Sequence, residues 1–256
     1  MKQNYKFTIS YDGSRYYGWE HQPNTDLTIQ GKIETVLTKM VNSDNIIEII
    51  CCGRTDAGVH AKEYFFNVRT ESTIPCEKFP VALASAKLPG EISVISCKEV
   101  DYDFNARFDC VKKEYIYIFE NTKIASPFNY RRTMNYKYNM DVDLMNRASK
   151  HFIGEHDFSA FCAAGAEVLS KVRVIYDASV ERDGDYVIFR VCGNGFLYNM
   201  VRIMAGTLLY VNNGKIKADD ISNIIENKDR TAAGITAIPD GLYLNKVYFS
   251  GEENET

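Results

Sequence analysis

The segment 53–61 carries the residue types best suited to chemistry. It places Arg54 two residues before Asp56, between Gly53 and Gly58. Glycine allows positive φ angles and close backbone approach, which can hold a side chain at the wall of a cleft. A carboxylate whose pKa is lowered by a nearby cation can act as a nucleophile or as a base. Asp-Ala-Gly is also a common turn sequence, so this segment taken alone equally fits a plain turn.

The elements around this segment predict a β-α-β-β-α-β order in the first half of the chain. Thr28 precedes a helical pattern, and Pro75 opens a second one. This order is that of a ferredoxin-like split unit. The predicted elements are a strand over 5–12, a helix over 29–41, strands over 46–52 and 64–69, a helix over 75–87 and a strand over 92–100.

The second half repeats this outline loosely. Asp183-Gly184 between two strand-like runs predicts a hairpin. The predicted elements are a strand over 114–120, a helix over 143–151, strands over 171–182 and 186–192, helices over 196–211 and 218–227, and a strand over 242–249.

The two outlines predict an α+β fold made of two ferredoxin-like (RRM-like) halves. We expect them to form a continuous mixed or antiparallel sheet with a central catalytic cleft flanked by helices, since clefts between such halves commonly hold sites. The predicted division is 1–105 for the half with the Asp56 loop, 106–250 for the second half and 251–256 for a polar tail.

The composition is that of an ordinary globular enzyme, with 45% hydrophobic and 25% charged residues. No run approaches the roughly 20 apolar residues that span a bilayer, and the N-terminal residues pass straight into a predicted strand. We therefore expect a cytoplasmic protein that does not enter a membrane. The seven cysteines form no C-x-x-C pair, and His151 and His156 are five residues apart, so we expect reduced thiols and no metal site.

The net charge of −4 argues weakly against a nucleic-acid partner. Binding depends, however, on where the basic residues lie rather than on the total charge. Each basic cluster taken alone is also typical of a solvated face. The clusters are Lys112-Lys113, Arg131-Arg132, Lys171 with Arg173, and Arg15 beside Tyr16-Tyr17.

Blocks along nearly the whole chain resemble the tRNA pseudouridine synthase A family, in the same order. The segment 53–61 is similar to the family signature that contains its catalytic aspartate. The other blocks are Tyr11-Asp12-Gly13-Ser14, Tyr16-Tyr17-Gly18-Trp19, Thr28-Ile29-Gln30-Gly31, Leu88-Pro89-Gly90, Asp103-Phe104-Asn105-Ala106-Arg107-Phe108, Lys113-x-Tyr115-x-Tyr117, Phe196-Leu197-Tyr198-Asn199-Met200-Val201-Arg202-x-x-x-Gly206 and Gly241-Leu242-Tyr243-Leu244.

The resemblance implies a reaction and a role for four residues. The family breaks the bond between uracil N1 and the ribose, rotates the base and rejoins it through C5. Asp56 matches the catalytic aspartate, as nucleophile or as base, and Arg202 matches the arginine that pairs with it. Tyr115 matches the active-site tyrosine, which stacks on the uracil. Arg54 matches a residue that grips the RNA backbone while the target base is flipped.

The resemblance also implies the substrate and the assembly. The family acts on uridines at positions 38, 39 and 40 in the anticodon stem-loop of tRNA. It works as a homodimer that binds RNA across both subunits. No cofactor is implied, since the chain has neither metal-ligand spacing nor a nucleotide-binding loop.

The sequence departs from the family pattern at 62–67, at Asn105 and at Glu20-His21. These departures bear on the choice of target, and two alternatives follow: the same chemistry on another RNA, or a catalytically inactive RNA-binding relative. The aromatic residues Tyr64, Phe65 and Phe66 could stack on RNA or fill the strand core. A hydrolase that pairs Asp56 with Asp12 or Glu63 is a third alternative.

Overall fold

The computed structural model describes residues 2–165 and 168–251, and the predicted α+β class is confirmed. By its contacts the chain divides into two units, residues up to Val111 together with those from Leu244, and Lys112–Tyr243. Residues 252–256 of the predicted tail lie outside the described residues. The continuous sheet and the cleft between the halves stay predictions.

The described residues form ten strands and five α-helices. The strands are β1 (Gln3–Tyr11), β2 (Ile50–Cys51), β3 (His60–Thr70), β4 (Ile92–Val100), β5 (Cys110–Glu120), β6 (Met134–Asn135), β7 (Gly154–Asp157), β8 (Val172–Asp183), β9 (Tyr186–Gly193) and β10 (Leu242–Phe249). The helices are α1 (Ile29–Met40), α2 (Phe79–Ser85), α3 (Val142–Ser149), α4 (Met200–Asn212) and α5 (Asp220–Asn227).

The first unit has the strand order of the predicted split unit. Its order is β4-β1-β3-β10, with β2 pairing β3, and β1 lies antiparallel to both β3 and β4. The predicted strand over 46–52 shrinks to β2, because side chains of α1 take the preceding backbone N–H groups. Glu34 accepts from the Ile49 N–H at 3.1 Å, and Thr38 accepts from the Ile47 N–H at 2.9 Å.

Two predicted helices begin four residues later in the structure, and local backbone conformation accounts for both differences. The helix predicted over 75–87 is a 3-10 turn at Cys76–Lys78 followed by α2, and the left-handed Lys87, with φ +64°, ends the segment. The helix predicted from Phe196 begins only at Met200, because Asn199 has a left-handed φ of +58°. This second difference affects the candidate site described below.

Alternation along β3 decides the role of its aromatic residues. Tyr64 and Phe66 are fully buried, and their rings stack on Trp19 at 4.0 Å and on Phe7 at 4.9 Å. Both therefore belong to the core and are not available to stack on RNA. Phe65 points to the other face of the sheet and packs edge-on against Phe249 at 5.1 Å.

The second unit has the strand order β5-β9-β8-β7, with antiparallel pairing throughout this path. The hairpin predicted at Asp183-Gly184 joins β8 to β9, with Asp183 opposite Tyr186 and Gly184 at φ +55°. The helix α4 is the most buried helix of this unit. Its exposed and half-buried positions are few, and one of them is Arg202.

We expect Phe66→Ala to lower the free energy of unfolding by about 3 to 5 kcal/mol, because a buried ring in the β3 core leaves a cavity. Ile95→Ala is the matched control in the same sheet, since Ile95 is 55% exposed and should lose no more than about 0.5 kcal/mol. Urea unfolding of both variants measures the difference. Equal losses would contradict this assignment of the two faces.

Candidate active site

The loop at 53–59, here called the aspartate loop, connects β2 to β3 and is held by the segment 16–19. The Trp19 N–H donates to the Thr55 carbonyl at 3.1 Å, and the Gly58 N–H donates to the Tyr16 carbonyl at 3.1 Å. Two sequence blocks separated by more than thirty residues thus share one hydrogen-bonded backbone. The position of Asp56 follows from this backbone.

Glycines allow the segment 16–19 and the aspartate loop to lie this close together. Gly18 has a φ of +96°, and a Cβ there would lie 2.7 Å from the Thr55 carbonyl oxygen. Within the loop, the Val59 N–H donates to the Asp56 carbonyl at 3.2 Å, and Gly58 has a φ of +80°. A positive φ at the third residue fits a type II turn. Asp56 is therefore the first residue of a tight turn, with its side chain half-buried.

A buried histidine and a carboxylate support the end of the aspartate loop. Nδ1 of His60, the first residue of β3, lies 3.1 Å from Oδ1 of Asp12 and 3.2 Å from the Gly13 nitrogen. One nitrogen cannot donate to the first and accept from the second, and we favour donation to the carboxylate as the stronger bond. The bond from His60, joined by one from the Ser14 N–H, holds the pKa of Asp12 well below its usual range.

Arg54 lies at the exposed edge of the aspartate loop. Its Nη1 is 3.2 Å from Oε2 of Glu20, and more than half of each side chain is exposed. An exposed ion pair of this kind contributes little to stability. The guanidinium could exchange Glu20 for another anion, such as a phosphate, at small cost. Glu20 lies at one of the departures from the family pattern noted in the sequence.

Tyr115 lies on β5 in the second unit, opposite Val191 of β9. Its side chain is 8% exposed, and its ring meets that of Phe196 edge-on at 5.0 Å. Phe196 belongs to the non-helical segment that precedes α4. The tyrosine ring is therefore fixed in orientation by an aromatic neighbour that sequence reasoning did not single out.

Arg202 is oriented by two hydrogen bonds within the second unit. Its Nε donates to the Ala237 carbonyl at 2.7 Å, and its Nη1 donates to Oδ1 of Asn199 at 2.6 Å. It also lies near Tyr117, where its charge opposes the rise in the phenol pKa that burial causes. The left-handed backbone at Asn199 brings that side chain back over the first turn of α4.

Gly206 explains why the segment at 234–237 can approach Arg202. A Cβ at Gly206 would lie 1.9 Å from the Ile235 carbonyl oxygen, so only glycine admits this contact. The Gly234 N–H donates to Oγ1 of Thr207 at 2.9 Å, and the Ala237 N–H donates to the Arg202 carbonyl at 3.1 Å. The spacing Arg202-x-x-x-Gly206 therefore reflects one packing requirement.

The structure accounts for the four predicted site residues in two pairs. Asp56 and Arg54 share the aspartate loop of the first unit, while Tyr115 and Arg202 belong to the second unit. The pairing of Asp56 with Arg202 stays a prediction. Asn199 belongs to the sequence block at 196–206 but was given no role there, because its contact with Arg202 depends on a left-handed backbone that the predicted helix from Phe196 did not include.

The two carboxylates that the hydrolase alternative would pair with Asp56 are bound to other groups. Asp12 bonds to His60 and Ser14, and Oε1 of Glu63 accepts from the Val247 N–H at 3.3 Å. Both carboxylates therefore have structural roles.

Across residues 2–165 and 168–251, no group of three or more histidine, cysteine or acidic side chains is arranged to hold a metal ion. None of the helices described there has the length and apolar character to span a membrane.

The fold and the loop define an α+β protein that presents a carboxylate on a glycine-framed turn, and the comparisons specify its family. A family model described as tRNA pseudouridine synthase matches residues 8–109 and 148–250. The chain belongs to the tRNA pseudouridine synthase family.

Similar proteins named tRNA pseudouridine synthase A align over nearly the whole chain. The one from Caldicellulosiruptor saccharolyticus is 44% identical over 96% of this chain and 100% of its own length. The one from Listeria monocytogenes serotype 4b is 46% identical over 95% of this chain and 98% of its own length. The one from Bacillus pumilus is 44% identical over 95% of this chain and 98% of its own length.

We expect Asp12→Asn to lower the free energy of unfolding by about 1 to 2 kcal/mol near neutral pH, since the bond from His60 loses its anionic acceptor. The folded-state pKa of Asp12 lies below its ordinary value of 3.8. The stabilisation is therefore present above about pH 4 and is lost as the pH falls through the folded pKa. Urea unfolding of both proteins should show a difference that shrinks below about pH 4.

Asparagine still accepts the Ser14 N–H, so the variant isolates the charge. Asp26→Asn, at an exposed position of the same unit, is the control and should show no such pH dependence. A difference that is as large at about pH 3 as at neutral pH would contradict the carboxylate's bond to His60.

Proposed function

We propose that this protein converts uridine to pseudouridine in the anticodon stem-loop of tRNA, with Asp56 as the catalytic carboxylate. The observation that carries the proposal is the turn that presents Asp56, built from the block at 53–59 and held by the block at 16–19. Family membership gives the reaction class, and the curated relatives carry tRNA in their names. The anticodon stem-loop follows from the resemblance described above.

The reaction is an isomerisation that needs no outside reagent. The bond between uracil N1 and ribose C1′ breaks, the base rotates, C5 bonds to C1′, and the proton on C5 leaves while N1 gains one. Asp56 either attacks the nucleotide or removes a proton from the sugar, and both roles require the ionised carboxylate. We propose Arg202 as the cation that favours that form.

The other two residues are proposed to hold the flipped nucleotide. A stacked uridine must leave its stack before reaction, at a cost of a few kcal/mol. Arg54 is exposed and held only by a surface ion pair, which suits a side chain that binds phosphate when RNA arrives. Tyr115 is buried with its ring braced by Phe196, which suits a rigid stacking surface for uracil.

Two further features are proposed from the family resemblance alone. We infer that the protein acts as a homodimer, with RNA bound across both subunits, and that it works in the cytoplasm, where its tRNA substrate is found. Analytical ultracentrifugation with and without tRNA tests the assembly.

We expect Asp56→Asn to reduce pseudouridine formation by at least about 10³-fold while tRNA binding stays within a few fold, because the carboxylate acts in the chemical step. Tritium release from tRNA labelled at uridine C5 measures the rate, and filter binding measures affinity. Asp26→Asn makes the same chemical change at an exposed site and should leave the rate unchanged. Substantial turnover by pure Asp56→Asn protein would refute the role of Asp56.

Arg202→Met extends the same test to the second unit. We expect a loss of about a hundredfold or more in kcat, as for removal of one electrostatic contact in an active site. Asn199→Gly keeps the left-handed backbone but removes the acceptor of the Arg202 bond, so it should give a smaller loss. An unchanged rate in Arg202→Met would show that Asp56 has another partner.

We expect deletion of the gene to remove pseudouridines from the anticodon arms of cellular tRNA. Pseudouridine mapping of tRNA and ribosomal RNA, with and without the gene, measures this directly. Re-expression of the wild-type gene should restore the sites, whereas the Asp56→Asn gene should not. Loss confined to ribosomal RNA, with the anticodon-arm sites intact, would refute the target and leave the reaction class standing.

A further inference from the structure

A loop of the second unit concentrates positive charge in an otherwise acidic chain. The segment 121–138, here called the basic–aromatic loop, connects β5 to the region before α3. It contains Lys123, Arg131, Arg132 and Lys137 and no aspartate or glutamate, whereas the chain as a whole has a net charge of −4. All four basic residues are exposed. A local excess of this kind is the electrostatic footprint of a polyanion site.

The same loop exposes large aromatic side chains among these charges. Phe128 is 86% exposed, Tyr130 is 75% exposed and Tyr138 is 62% exposed. The Lys137 ammonium lies 5.3 Å from the centre of the Tyr138 ring. Aromatic rings next to basic side chains match the two needs of unpaired nucleotides, which are stacking for the base and a cation for the phosphate.

The aromatic residues are held outward by a polar scaffold. Glu120 is 3% exposed, and its carboxylate accepts from the Ser126 N–H at 2.9 Å and from the Thr133 hydroxyl at 3.2 Å. The Asn121 amide donates to the carbonyls of Tyr136 and Tyr138 at 2.8 and 2.7 Å. The loop is therefore fixed at both ends, so binding would cost little loop entropy.

The centre of the loop is fixed as well. Ser126 caps a 3-10 turn at Pro127–Asn129, and the Tyr243 hydroxyl donates to the Arg132 carbonyl at 2.7 Å. Arg131 has a left-handed φ of +57°, a conformation that costs a residue other than glycine roughly 1 kcal/mol or more. These contacts thus hold Arg131 in a strained backbone conformation.

A cavity of about 340 Å³ opens beside these two residues. Its lining includes Tyr130, Arg131, Asn135 and Asp240. The amide and carboxylate groups can hydrogen-bond the edge of a base, while the arginine and tyrosine supply charge and a ring face. The polar groups of the cavity can therefore bind the edge of a splayed base while the ring face of Tyr130 stacks on it.

We propose that the basic–aromatic loop is a second RNA-contact surface, which binds unpaired nucleotides of the tRNA outside the target uridine. Phe128 and Tyr130 stack on bases, and Arg131 and Arg132 bind the flanking phosphates. The identity of the RNA rests on the proposed function. A protein partner fits less well, since the cores of protein interfaces are depleted in charge and the segment 121–138 carries four basic residues.

The test measures the affinity of the full-length protein for tRNA at several salt concentrations. The double variant Phe128→Ala/Tyr130→Ala should bind about tenfold or more weakly, as expected for loss of base stacking. Arg131→Gln/Arg132→Gln should reduce the slope of log Kd against log salt by about 1 to 2, since each lost phosphate contact removes roughly 0.9. In both variants KM should rise and kcat should stay unchanged, because neither touches the reacting atoms.

The controls remove the same groups elsewhere in the second unit. Tyr176→Ala deletes a tyrosine that is 51% exposed, and Arg147→Gln/Lys217→Gln deletes two exposed charges. Both should leave Kd and the salt slope near wild type. Thermal unfolding of every variant checks that the scaffold is intact, which the exposure of the changed side chains favours.

Three outcomes would overturn the proposal. The first is an unchanged Kd and salt slope in both loop variants, and the second is an equal effect in the controls. The third is a change of oligomeric state in either loop variant relative to wild type, measured by sedimentation, which would make the loop a subunit interface. Wild-type protein that binds tRNA through this loop but forms no pseudouridine would instead refute the proposed function alone.

Discussion

Close backbone approach at glycine is the constraint on which the aspartate loop depends. Two backbone hydrogen bonds tie the loop to the segment 16–19, and they form only because Gly18 has no Cβ. At Gly13 a Cβ would lie 1.9 Å from the Val59 carbonyl oxygen, so the same rule applies where the loop enters β3. The carboxylate of Asp56 is therefore placed by backbone packing around it, with the buried bond of His60 to Asp12 as its support.

In the second unit, close backbone approach at a glycine likewise positions the cation Arg202. Gly206 admits the segment at 234–237 to the surface of α4, and the Ala237 carbonyl then accepts from Arg202. A guanidinium on an apolar helix would be costly without such acceptors. Asn199 supplies the second acceptor through a left-handed backbone that glycine, asparagine and aspartate tolerate best. Each charged group of the proposed catalytic set thus has a dedicated local support.

Charge is distributed unevenly for an RNA-binding protein. The chain is acidic overall, yet the basic–aromatic loop carries only positive charges. Net charge was therefore a poor guide to the partner, because phosphate binding depends on local density of cations. Glu20 lowers the local density of positive charge elsewhere, because its carboxylate forms an ion pair with Arg54 at the exposed edge of the aspartate loop.

The sequence by itself predicted the fold class and the element order of the first half, whereas the short strands β6 and β7 of the second half were not predicted. The roles of Asp56, Arg54, Tyr115 and Arg202 stay predictions. Periodicity placed β4 and β10 at their observed bounds, because alternation and helical spacing are local properties. Only the tertiary structure decided where β2 begins, since Glu34 and Thr38 of α1 accept hydrogen bonds from backbone N–H groups that lie fifteen and nine residues further along the chain. It also decided that Tyr64 and Phe66 face the core while Phe65 does not, and that Ala237 orients Arg202. These outcomes depend on which segments meet in space, and no local pattern in the chain encodes that.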